Sequence, residues 1–195
     1  MSVVTKDTIQ PSSGQALTIK DEGGTASITI QTDGDLTLAE NAYLGSSKGI
    51  YFDGGSASAN FLDDYEEGTF TPTLLTGGSA SSTLGTVSGS YTKIGNFVHV
   101  SVQIPITSGG GSGDITVGGL PFTSISTSGY ISSAPVITSK IDCSQQMPYV
   151  AELSNNSTTL QMRSVRNSQA SSHVKMQISN IGNSSQLQFS LTYLT

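Results

Sequence analysis

FLDDYEEGTFTPTLL, residues 61–75, divides the chain into two kinds of sequence. Asp63, Asp64, Glu66 and Glu67 surround Tyr65, Gly68 ends the acidic run, and 69–75 is β-branched or apolar apart from Pro72. Proline brings no N–H to a ladder, so the stretch predicts a junction leading into an edge strand. Before it the chain consists of short acidic pieces punctuated by glycine; after it come longer strand-like runs with little charge. Residues 1–68 hold 11 acids against 3 bases, residues 69–195 hold 3 acids against 5 bases, and the 195-residue chain carries a net charge of −6.

Upstream, ALTIK (16–20), ASITI (26–30) and DLTLA (35–39) repeat one pattern. Leu17 and Ile19, Ile28 and Ile30, and Leu36 and Leu38 alternate with Thr or Ser, which predicts half-buried strands. The separators DEGG and TDGD are turn chemistry. Two apolar residues per strand are too few to close a core, so this part is expected to pack against copies of itself or a larger body. The alternative is that it forms one sheet of a larger monomeric sandwich.

Downstream, FVHVSVQIPI (97–106) is the strongest strand: Val98, Val100, Val102, Ile104 and Ile106 share one face, with His99, Ser101 and Gln103 opposite. Gly95-Asn96 just before it predicts a hairpin turn. Further runs at 86–91, 113–122, 133–139, 148–153, 158–165, 173–179 and 186–194 are separated by polar loops, among them NIGNSS. No window carries a capped helical period. The fold class is therefore all-β: an extended short-strand shaft or arm over 1–60, a junction at 61–75, and an antiparallel β-sandwich of jelly-roll type over 76–195.

Composition excludes several functions. A chain this acidic has no basic stripe for phosphates and is repelled by anionic membranes, so neither nucleic acid nor membrane insertion is expected. MSVVTKDTIQ lacks the charged and apolar regions of a signal peptide, which predicts synthesis in a cytosol. Cys143 is the single cysteine, so no intrachain disulfide and no thiolate metal cluster can form. His99 and His173 are the only histidines, and HExxH, GxSxG and Walker patterns are missing. Asp114, Asp142 and Glu152, beside loops, do not make the carboxylate pair of a glycosidase. The chain is thus expected to be no enzyme, with no cofactor and no metal; Asp33-Gly34-Asp35 and the acidic cluster at 63–67 do not follow EF-hand spacing and read as solvated turns.

Arg163, Arg166 and Lys175 gather three of the five bases of residues 69–195 on adjoining strands and their loop. With Tyr130 and Tyr149 near other loops they are candidate contacts for an anionic host-surface glycan, by charge and stacking. The competing reading is ordinary solubilisation of a hairpin.

YLGSSKGIYFDGG, LDDYEEGTFTPTL, GSYTKIGNFVHVSVQI and TVGGLPF together resemble phrases of small structural proteins of tailed bacteriophages, of the tail-fibre or head-decoration type. The likeness covers about residues 43–122. It implies a homotrimer located in the virion and assembled in the host cytoplasm, a β-sandwich head introduced by the DYEEGTFTPTL phrase, no catalysis, and other virion proteins of capsid or tail as partners. Strand addition by 1–9, with Val3, Val4 and Ile9 as apolar anchors, would fix such an arm to the particle. The resemblance leaves two roles open: an adhesive fibre, and a capsid decoration protein that stabilises the shell without recognising a host.

Overall fold

The structure, a computed structural model, describes residues 15–20, 23, 26–31, 35–38, 49–51, 61–62, 64–77, 83–109, 112–141, 148–164 and 174–195. The chain divides into two compact units, Met1–Lys48 and Gly49–Thr195.

In the first unit, β1 (Leu17–Lys20), β2 (Ala26–Ile30) and β3 (Leu36–Leu38) form an antiparallel sheet in that order. Register places Leu17 opposite Ile30 and Ile30 opposite Leu36, and Ile19 opposite Ile28 and Ile28 opposite Leu38. Alternation sends these six residues to one face, while Thr18, Thr29 and Thr37 make a row on the other. The apolar face stays largely open: Leu36 is 63% exposed and Ile19 51%.

The second unit begins with a short ladder of β4 (Ile50–Tyr51) and β5 (Phe61–Leu62). Two antiparallel sheets follow. The first runs β13 (Ile137–Ile141), β17 (Ile181–Leu194), β10 (Phe97–Ser108), β9 (Ser88–Ile94), β6 (Tyr65–Phe70), with β8 (Thr83–Leu84) also on β10. The second runs β12 (Ile131–Pro135), β14 (Tyr149–Ser154), β15 (Leu160–Ser164), β11 (Ile115–Gly118), β7 (Thr73–Thr76), with β16 (Val174–Lys175) also on β15. This is the all-β sandwich that the alternating runs predict.

The core is built on the long β10–β17 pair. Val98, Val100, Val102 and Ile104 stand opposite Tyr193, Leu191, Phe189 and Leu187, and all eight are at most 5% exposed. From the second sheet, Ile115, Val117, Ala151, Leu153, Leu160 and Met162 close over them, each fully buried. Burial of Tyr193, whose hydroxyl donates to the Phe122 carbonyl at 3.0 Å, pushes its pKa up to about 12. The unfolded chain would ionise this phenol near pH 10. Its contribution to stability is therefore complete below about pH 10 and is lost as pH climbs through about 12. Urea midpoints measured from pH 8 to pH 11 should fall above pH 10, and less steeply in Tyr193→Phe.

Three strand boundaries differ from expectation. The acidic run is itself strand: β6 starts at Tyr65, and at Thr71-Pro72 the chain crosses to the opposite sheet, so 61–75 supplies an edge strand to each sheet. The run at 133–139 is two strands, β12 and β13, in different sheets; Pro135 has no N–H, and the Val136 N–H turns to the Tyr149 carbonyl at 3.0 Å. NIGNSS, expected as a loop, ends a 3-10 turn at Asn180 and opens β17 at Ile181, which is buried and pairs with Ile141, while the buried Ser185 hydroxyl donates to the Lys140 carbonyl at 2.8 Å.

Candidate functional site

Three of the phrases that carry the phage resemblance, 62–74, 89–104 and 116–122, meet in space, and what they make is a fastening. Gly68 of β6 lies opposite Tyr91 of β9, whose ring is 2.9 Å from where a Cβ on Gly68 would sit. Gly89 of β9 lies opposite Phe70 of β6, whose ring is 2.9 Å from the corresponding point. Each glycine is roofed by its partner's aromatic ring, a device that pins register at a sheet edge. Tyr91 packs edge-on against Phe122 at 5.3 Å, and Lys93, ion-paired with Asp64, stands 5.6 Å from the Phe122 ring centre. The Glu66 carboxylate accepts from the Tyr91 hydroxyl, and this bond raises the pKa of the phenol. Tyr91→Ala should therefore free the edge: amides of β6 lose hydrogen-exchange protection while those of β10 keep theirs.

Across the sheet from this clasp, whose Tyr91 shares the core side of the ladder with Val100, the outer face of the first sheet carries a grid of neutral side chains. Ser88, Gln103, Gln188 and Ile137 are directly opposite one another across β9, β10, β17 and β13. Ser90, Ser101 and Ser190 form the adjoining row. Strand spacing of about 4.8 Å and alternate residues about 7 Å apart set the mesh of the grid. Pro135 and Ile137, the latter 69% exposed, wall one side, enclosing a trough of about 460 Å³ with no charged residue in its lining. In the flanking row His99 Nδ1 and Thr192 Oγ1 lie 3.0 Å apart. Such a surface offers hydroxyl and amide hydrogen bonds and one apolar wall. Ser101 and Gln103 are legible in the sequence as the polar side of β10; their alignment with Ser90, Gln188 and Ser190 needs the register.

The residues singled out for an anionic glycan are placed differently. Arg163 and Lys175 do come together, directly opposite on β15 and β16 and on the other sheet from the trough. Each already has an acid: Arg163 Nε is 2.9 Å from Glu152, and Lys175 Nζ is 2.8 Å from Asp114. The Lys175 and Gln177 hydrogen bonds hold the Asp114 carboxyl below its usual pKa. Tyr149 is 1% exposed and belongs to the core, so its ring face is closed to a sugar. The Tyr130 hydroxyl accepts the Leu194 N–H at 2.7 Å and fastens the end of β17. Val3, Val4, Ile9, Arg166, His173 and Cys143 lie outside the described residues. Among the described residues, no group of three or more His, Cys, Asp or Glu side chains is placed to hold a metal.

No family model matches the chain, and no curated protein matches it. Among solved structures it is similar to the Dettilon tailspike protein (gp208), with a TM-score of 0.54 and 20% identity. The two share a fold. The match covers 67% of this chain and 23% of the tailspike, so this chain corresponds to a small part of that protein's length.

Proposed function

We propose that the chain is a non-enzymatic structural protein of a bacteriophage virion: a trimeric fibre fixed to tail or capsid by its N-terminal part, with the sandwich displayed outward for host adhesion. The observation that carries this reading is the open apolar face of β1–β3. Six paired Leu and Ile side chains on a sheet of three to five residues per strand need a covering surface, and further copies around an axis, or the particle, supply one. The fold shared with a tailspike supports a tail-associated role. The charge-poor, Ser/Gln-lined outer face of the sandwich suits a displayed surface.

Particles lacking the protein test this. Full-length protein added back should attach and restore adsorption to host cells, and a chain beginning at Gly49 should not attach. Equal attachment by the shortened chain would overturn the division of labour. Copy number per particle separates the alternatives: a few trimers for a fibre, many copies spread over the head for a decoration protein that leaves adsorption unchanged.

A further inference from the structure

We infer that the trough on the outer face of the first sheet binds an uncharged, hydroxyl-rich saccharide chain. The inference rests on the adhesive reading above and assigns its contact surface to the sheet opposite Arg163 and Lys175.

Three features of the lining select this chemistry. First, it carries no charge: the nearest rows offer Ser90, Ser101, Ser190, Gln103 and Gln188, which discriminate neither cations nor anions. An anionic polymer would leave its charges without partners there, whereas hydroxyl and acetamido groups find donors and acceptors of their own kind. Among the described residues, none of these five side chains is committed to an intramolecular hydrogen bond, in contrast to His99 and Thr192 one row away. Second, Pro135 and Ile137 form an apolar wall, suited to the C–H face of a sugar ring. Third, the trough has no Trp, Tyr or Arg anchor of the kind that supplies most of the energy at protein interfaces, and it is concave. At about 460 Å³ it has the size of a small-ligand cleft, enough for a short segment of a chain. Hydrogen bonds of this type are individually weak, so the three heads of a trimer acting together would supply the avidity.

The test uses the full-length protein and a panel of neutral oligosaccharides (maltohexaose, chitohexaose and neutral bacterial O-chains) beside acidic ones (hyaluronan and polysialic acid), at low and high salt. The expected result is retention of neutral members, insensitive to salt, with at least about a tenfold loss in Gln103→Ala/Gln188→Ala and none in Arg163→Ala. Thermal unfolding checks that each variant keeps its fold, and Ser190→Ala, the mildest lining change, serves where the double variant does not. Salt-sensitive binding of acidic members that disappears in Arg163→Ala overturns the trough but leaves adhesion standing. So does unchanged adsorption of the folded trough variants to host cells. Failure of the intact protein to bind either host cells or any neutral member at millimolar concentration removes the adhesive reading and the trough with it.

Discussion

Gly119→Ala is expected to lower the stability of the sandwich by about 3 kcal/mol. Gly119 sits just after β11 with φ +84°, a conformation that costs an L-residue energy wherever it occurs. A Cβ there would also lie 2.7 Å from the Thr71 carbonyl oxygen, and backbone cannot swing aside as a side chain can. Thr71 belongs to the crossing between β6 and β7, so the clash falls where one chain segment serves both sheets. Relief requires that crossing to move, taking with it the Gly118–Thr73 pairing. Urea unfolding of the variant measures the effect; a loss below about 0.5 kcal/mol, the range of ordinary surface changes, would show that the crossing is free to shift.

Leu191→Ala should cost about 2–5 kcal/mol, the range for emptying a packed aliphatic site. Leu191 is 2% exposed at the centre of β17, opposite Val100, and the opposing sheet closes over this layer. The neighbouring residue provides the contrast. Ser190 points outward into the trough, so Ser190→Ala should change stability by no more than about 0.5 kcal/mol. Measured together by urea unfolding, the pair tests both the inward-outward alternation of β17 and the separation of stability from binding. Equal losses for the two would mean that the alternation of β17 is wrongly placed.

Much of the fold is legible in the residues because alternation is local. Val98 to Ile106 are buried at every second position, as the spacing of FVHVSVQIPI predicts. Leu17 to Leu38 place their apolar residues on one face of a small sheet. Gly95 takes φ +57° between Ile94 and Phe97, the positive value that the first position of a type II′ hairpin turn requires. Arg163 and Lys175 show the reverse. Their clustering is visible in the sequence, but Glu152 and Asp114, which answer their charges, are 11 and 61 residues away along the chain. Pro135 likewise reads as part of one strand until its two sides are seen pairing in different sheets.

Which way each side chain points follows from backbone geometry, and residue order alone carries that information: strand content, the apolar side of β10, the short-strand character of 17–38 and the hairpin at Gly95. Which strands become neighbours, and at what offset, depends on contacts that close over long stretches of chain. A slip of one residue would exchange the two faces of a strand. The aromatic roofs over Gly68 and Gly89, the pairing of Arg163 and Lys175 with their acids, and the alignment of Ser90, Ser101 and Ser190 into one row exist only once β6, β9, β10 and β17, and β11, β14, β15 and β16, are packed in register.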